Sequence, residues 1–311
     1  MTQQHYSLII LGGGPAGLTA GLYAARARIN HLLIEKGVAG GQVLLTDWVD
    51  NYPGFPDGIS GFDLIDVMSK QANRFGLQTL TANVTKVDLA DPAHKKMTLE
   101  NGDTISYDTL IICTGAQQRQ LGVPGEQELT GKGVSYCATC DAPFYRNMHV
   151  AVVGGGNTAV QEANHLTKFA SKVTLIHRRD ELRATKIIQE KAFANDKIDY
   201  LWNSHVREIN GEKGVEQLSI ENNDGEKSTL DVEGIFILVG VTPNNSMLPG
   251  DQLNLGDSGF VITDSETRTS VAGVMAAGDI RHKKVRQIIN AAGEGATAVL
   301  AAEQYLVNLP T

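Results

Sequence analysis

Cys137-Ala138-Thr139-Cys140, with Asp141 directly after it, puts two sulfurs at a spacing that lets them close on each other. A dithiol of this kind exchanges with other disulfides through its thiolate. Thr139 and Asp141 suggest that the pair opens a helix, and a helix N-terminus favours the thiolate. Asp141 stands where an acid and base is needed to move protons as the disulfide opens and closes; the plainer reading is an exposed aspartate at a helix start. Zinc would need four ligands, and no second Cys pair or well-spaced His pair completes a site, so no metal is expected. His149 and His165, the nearest histidines, read as packing residues. Cys113 ends the apolar run Leu110-Ile111-Ile112 and reads as a buried, inert thiol.

Two glycine-rich loops accompany the pair: Gly12-Gly13-Gly14-Pro15-Ala16-Gly17 and Gly154-Gly155-Gly156-Asn157-Thr158-Ala159. One such loop is a weak signal. Here each follows an apolar run, Ser7-Leu8-Ile9-Ile10-Leu11 or His149-Val150-Ala151-Val152-Val153, and each leads into a helical pattern. Strand, tight turn and helix together hold a pyrophosphate on backbone N–H groups. The next strand should end beside the adenosine ribose, and 23 residues beyond Gly12 stands Glu35, while 23 beyond Gly154 stands His177. A carboxylate accepts hydrogen bonds from ribose hydroxyls, so the first site fits FAD or NAD. The second presents His177-Arg178-Arg179 with Arg183 instead, and guanidinium groups match a 2'-phosphate bidentately. That arrangement selects NADPH over NADH.

These residues, with Gly40-Gly41-Gln42, Asn51-Tyr52-Pro53-Gly54, Thr114-Gly115-Ala116, Gly278-Asp279 and Arg286-Gln287, give a chain that closely resembles the bacterial low-molecular-weight thioredoxin reductases over essentially its whole length. The resemblance implies an NADPH-dependent, FAD-containing thioredoxin-disulfide reductase. It implies that FAD is bound by the first glycine loop, by Glu35, Lys36, Gly40, Gly41, Gln42 and Asn51, and by Thr114, Gly115 and Ala116. Gly278 and Asp279 would hold the ribitol chain, and Arg286, Gln287 and Ile288 would lie along the flavin. NADPH would take Gly154, Gly156, Asn157, Thr158, His177, Arg178, Arg179, Arg183 and Gly240. Cys140 would face the flavin and Cys137 would attack the partner disulfide. A homodimer is also implied, which the sequence only permits. Two departures stand out: Ala142-Pro143-Phe144 replaces the Gly-Phe-Phe of many members, and Lys132 replaces an arginine. Both fall where the family meets its protein substrate, so they bear on partner preference rather than on chemistry.

The elements that must position these residues are α/β: two Rossmann-like domains, the NADPH domain inserted into the FAD domain. Gly273-Val274-Met275-Ala276-Ala277-Gly278-Asp279 repeats the strand-and-turn pattern of residues 110–116, so the first domain resumes after the middle one. The expected division is residues 1–116 and 246–311 for FAD, and 117–245 for NADPH and the dithiol. Because the dithiol lies just before Gly154, it travels with the NADPH domain. Nicotinamide and disulfide must each approach the flavin closely, so one domain carrying both must present them in turn, by rotation about the two crossings.

Composition sets the outer bounds. At 42% hydrophobic and 20% charged residues the chain reads as a soluble globular protein, and a net charge of -8 with no basic stripe argues against nucleic acid. Residues 8–25 carry no charge, yet five glycines and Pro15 interrupt them, so a strand, loop and helix are expected rather than a membrane span. Three cysteines and no secretory segment point to the reducing cytoplasm. The main alternative is an NADPH-dependent flavin disulfide oxidoreductase acting on another thioredoxin-like protein or a small dithiol. A ferredoxin-type NADP reductase has no use for Cys137 and Cys140, and a redox-sensing or metal-binding module leaves the arginines unexplained.

Overall fold

The computed structural model describes residues 4–46, 48–91 and 95–309. In chain order its elements begin with β1 (Gln4–Leu11), α1 (Pro15–Arg26), β2 (His31–Glu35), α2 (Gly61–Arg74), β3 (Thr79–Thr81), β4 (Val84–Asp88), β5 (Lys96–Leu99), β6 (Thr104–Ile112) and β7 (Ala116–Gln118). The middle of the chain forms β8 (Val134–Ser135), α3 (Ala138–Asp141), β9 (His149–Val153), α4 (Asn157–Leu166), β10 (Lys172–Ile176), α5 (Lys186–Phe193), β11 (Ile198–Leu201), β12 (Ser204–Asn210), β13 (Gln217–Asn222), β14 (Lys227–Asp231) and β15 (Gly234–Ile237). It closes with β16 (Val241–Pro243), β17 (Val274–Ala276) and α6 (Ile288–Val307). The chain divides into two compact units, Met1–Gln117 with Thr242–Thr311, and Gln118–Val241.

The first unit is built on a sheet of order β3-β2-β1-β6-β5-β4, with β17 also paired to β6. Strands β3, β2, β1, β6 and β17 run parallel, with Leu11 opposite Ile34 on one side and Ile112 on the other. The run Leu8-Ile9-Ile10-Leu11 has no polar alternation because both faces are covered. Leu8 and Ile10 pack with Ala16, Ala20, Ala24, Ala298 and Ala302 of α1 and α6, while Ile9 and Leu11 pack with Met97, Leu99, Leu248 and Leu253. Small residues let α1 and α6 lie close: a side chain at Gly295 would run into the Ala16 carbonyl. The uncharged stretch at residues 8–25 is thus a buried strand, a turn and a helix, and among the described residues no helix is long and apolar enough to cross a membrane.

The second unit has a parallel sheet of order β11-β10-β9-β15-β8. One face, through Val150, Val152, Val173, Leu175 and Phe236, meets α4, α5 and the α3 turn; the other, through Ala151, Val153, Ile176 and Ile235, meets the antiparallel β12-β13-β14 meander. Gly154 follows β9, His177 follows β10, Trp202 follows β11 and Cys137 lies just past β8, so these groups gather at the carboxyl ends of one sheet's strands. This is the edge at which open α/β sheets bind ligands.

Candidate functional site: two nucleotide cradles and a disulfide

In the first unit the chain turns sharply out of β1 at Gly12, whose φ of 108° belongs to glycine. A side chain there would strike the Cys113 carbonyl, and one at Gly17 would strike the Gly12 carbonyl. Gly14 caps α1 with Pro15 behind it, no side chain caps that end, and the space about Gly14 is open. Uncapped N–H groups at a helix start suit a pyrophosphate. Glu35, at the end of β2, lies over the loop: its Oε2 accepts the Gly13 N–H at 2.7 Å and its Oε1 the Gly37 N–H at 3.1 Å. The chain then returns, with the Gly40 N–H donating to the Gly13 carbonyl at 2.8 Å and Gly41 lying beside Gly14. Lys36 and Gln42 are exposed on this segment.

More distant parts of the sequence join the same unit. Asn51 donates through Nδ2 to Gln287 Oε1 at 3.1 Å. Asn244 holds the turn after β6, its Nδ2 donating to the Thr114 carbonyl and its backbone N–H to that of Gly115, while Ala116 is buried. Gly278 takes a φ of 81° against Ala16, and its N–H donates to Glu294 at 2.8 Å. Asp279 follows with a buried Oδ1 that has no hydrogen-bond partner; Lys283 Nζ is an ion-pair neighbour at 3.6 Å. Burial, and then the Glu294 charge, push the Asp279 carboxyl above its ordinary range against the opposing pull of Lys283 and Arg286. Arg286 has a buried Nε without a hydrogen-bond partner and lies 4.4 Å over the Phe260 ring. Gln287 caps α6 and Ile288 is its first residue.

These features fit a flavin dinucleotide: an open helix N-terminus, a carboxylate fixed over the glycine loop, and a buried carboxylate and guanidinium left with hydrogen-bonding capacity. Thr114 Oγ1 is a further buried atom without a partner. Glu294 has no sequence motif to announce it; it sits within α6, and only the fold brings it to Gly278, Arg281 and Lys283.

The second cradle repeats the first with different chemistry. Gly154 has a φ of 152°, and a side chain there would meet the Leu238 carbonyl. Gly156 caps α4 with no side-chain cap and open space about it. His177 lies against Gly155, so any side chain at Gly155 would enter its ring. The Gly155 carbonyl accepts the N–H groups of Arg183 and Ala184 at 2.7 and 3.1 Å, and Asn157 Oδ1 accepts the Thr185 N–H at 2.8 Å. The chain beyond β10 is thereby tied to its own phosphate loop. Arg178, Arg179 and Arg183 are exposed, as is Thr158. His177 is buried, has an Nε2 without a partner, and meets the Trp202 ring edge-on. Burial, then the charges of Arg183, Arg179 and Arg178, lower its pKa, which leaves the three guanidinium groups as the cations of the site. Gly240, at φ 120°, accepts the Arg119 N–H through its carbonyl at 2.9 Å.

Cys137 and Cys140 form a disulfide with Cα atoms 5.3 Å apart. Cys137 caps the one-turn α3, its Sγ accepting the Cys140 N–H at 3.2 Å. Asp141 ends that turn, and its Oδ2 lies 2.6 Å from Ser135 Oγ. Phe144 is 53% exposed and Lys132 is also exposed. His149 bonds Thr174 through Nε2 at 2.8 Å and His165 packs on Phe169, while Cys113 is buried with its thiol pKa pushed up by desolvation. Among the described residues no cluster of His, Cys, Asp and Glu is placed to hold a metal.

A fold of two such parallel-sheet units with a disulfide on one of them defines a nucleotide-dependent disulfide oxidoreductase, and residues 6–295 match the model of the pyridine nucleotide-disulphide oxidoreductases. The chain belongs to that family, and within it to the thioredoxin reductases, on relatives of this kind. A thioredoxin reductase of Peptoclostridium acidaminophilum is 47% identical over 310 residues, covering 97% of each chain. One from Listeria monocytogenes is 45% identical over 98% of this chain and 95% of its own. The crystal structure of thioredoxin reductase from Streptococcus pyogenes superposes with a TM-score of 0.93 at 44% identity, covering 99% of this chain and 100% of that one.

Proposed function

We propose that this protein carries electrons from NADPH through FAD and the Cys137–Cys140 pair to the disulfide of thioredoxin. The observation that carries the reading is the matched register of the two cradles: Glu35 on Gly13 in one, and His177 with its arginines on Gly155 in the other. The disulfide sits on the unit that holds the arginines. Names of the relatives favour thioredoxin over another acceptor.

Gly12, Gly14, Pro15, Ala16, Gly17, Glu35, Lys36, Gly40, Gly41, Gln42 and Asn51 would hold FAD, with Thr114, Gly115, Ala116, Gly278, Asp279, Arg286, Gln287 and Ile288. Gly154, Gly156, Asn157, Thr158, His177, Arg178, Arg179, Arg183 and Gly240 would hold NADPH. When bound, FAD would supply the hydride chemistry by which NADPH, left as NADP+, gives its electron pair to the disulfide. The reduced pair then does the rest. The Cys137 thiolate attacks one sulfur of the partner disulfide, forming a mixed disulfide as the other partner sulfur leaves. Cys140 attacks Cys137 Sγ, re-forming the Cys137–Cys140 bond and releasing the partner as a dithiol. Asp141 moves the protons that these steps exchange.

With NADPH and the dithiol on one unit, turnover requires rotation about the crossings at 117/118 and 241/242. A crosslink that fixes the two units should stop multiple turnovers; full-rate turnover in the crosslinked protein would refute the rotation. A homodimer and a cytoplasmic setting complete the proposal, the first supported by the exposed apolar side chains of Phe62 and Val67 on α2. The test of the function is NADPH consumption with purified thioredoxins and glutaredoxins as competing substrates, where thioredoxin should be reduced and NADH should serve far less efficiently than NADPH.

A further inference from the structure

Ser135 ends β8, and its backbone is registered against Phe236 of β15, so it stands on the sheet rather than on the redox loop. It is 4% exposed, yet its hydroxyl reaches both halves of that loop. Oγ lies 2.6 Å from Asp141 Oδ2 and accepts the Cys137 N–H at 3.1 Å. A serine hydroxyl has one hydrogen to donate. The Cys137 carbonyl, at 3.4 Å, competes poorly with the carboxylate for it, so the hydrogen goes to Asp141.

We propose that Ser135 is a positioning residue for the thiol–disulfide chemistry, holding Asp141 as an oriented carboxylate and linking it to the amide of the attacking Cys137. The inference rests on the reading of Asp141 as the proton carrier. A rigid sheet position is where such support is best placed, because a site is only as well ordered as the residues that hold it. A donor to a carboxylate favours its ionised form, so Ser135 keeps Asp141 ready to take a proton at lower pH than it otherwise would. Ionisable groups near Asp141 include Cys137, Cys140 and the Tyr145 phenol, whose pKa is pushed up to about 12 by burial and then by the Asp141 charge. From α4, Glu162 faces the loop but is engaged by the Thr139 hydroxyl at 3.1–3.2 Å.

The experiment measures thioredoxin reduction against pH, with flavin bleaching by NADPH as the control for folding and for the other half-reaction. It compares the holoenzyme with Ser135→Ala, Ser135→Thr, Asp141→Asn and the Ser135→Ala/Asp141→Asn double variant. Ser135→Ala should move the acid limb of the profile upward by about one pH unit, the size expected for a lost hydrogen bond to a charged group, and leave bleaching unchanged. Ser135→Thr, which keeps the hydroxyl, should restore the profile, and Ser135→Ala should add nothing in the Asp141→Asn background. Where Ser135→Ala fails to bleach, Ser135→Val, which has the shape of the threonine variant without its hydroxyl, takes its place. A wild-type profile for the hydroxyl-free variant beside an impaired Asp141→Asn overturns the role of Ser135. An unimpaired Asp141→Asn overturns the proton-carrier reading itself, and this inference with it.

Discussion

The Glu35 carboxylate closes on the Gly13 amide at 2.7 Å, and His177 occupies the corresponding place against Gly155 of the second loop. Each side chain lies 22 residues beyond the glycine it covers. The same backbone device therefore places an anion over one glycine loop and a cation-flanked neutral ring over the other, and the proposed division of FAD and NADPH between the units rests on that difference.

Arg178, Arg179 and Arg183 carry the preference for a 2'-phosphate in this account. Replacing any one of them by Ala should raise KM for NADPH about 10- to 100-fold, as expected from a lost hydrogen bond between charged groups worth roughly 1.5–3 kcal/mol, and leave KM for NADH nearly unchanged. Steady-state kinetics with both nucleotides checks this. An equal loss for NADPH and NADH would mean that the arginines merely support the fold.

His177 makes acid stability a second reporter on the same cradle. Its pKa lies below the ordinary 6.5, chiefly through burial and then through the three arginines, so its folded environment prefers the neutral ring. Its contribution is therefore complete above pH 6.5 and is lost as pH falls through the lowered value. Thermal unfolding of the wild type between pH 7 and pH 5 should show a steeper loss than that of His177→Gln, which has no proton to gain. Parallel curves would contradict the assignment.

Asp279 should trade stability for flavin binding. Burial raises its pKa, so the stabilising contribution of this group is full below the ordinary carboxylate value of 3.8 and is lost as pH rises through the raised one. At neutral pH the ionised group is a cost to the folded protein. Asp279→Asn should thus raise the Tm of the flavin-free protein by ~2 °C while weakening FAD retention. Melting of the flavin-free forms and flavin release on dilution test both halves; a lower Tm for Asp279→Asn would be the contrary result.

Much of the site was legible because backbone constraints leave marks on the sequence. Gly12 must be glycine to turn against the Cys113 carbonyl, and the apolar runs at residues 8–11 and 150–153 must lack alternation to be buried on both faces. The Ala-rich run of residues 291–305 marks a closing helix in the sequence, and that helix spans Ile288–Val307 because its start is set by Gln287 and not by the Ala-rich core of the pattern. Ser135, Glu294 and Trp202 carried no sequence signal. Their roles come from what the sheet and α6 bring beside them: Asp141 for Ser135, Gly278 for Glu294, and His177 for Trp202.

The relay through Cys137 and Cys140 is tested most directly by Cys140→Ser, loaded with FAD and mixed anaerobically with NADPH and then with oxidised thioredoxin. Flavin absorbance should bleach as in the wild type, and no thioredoxin should be reduced. Thioredoxin reduction at the wild-type rate would show that electrons reach the partner without this sulfur and would contradict the relay.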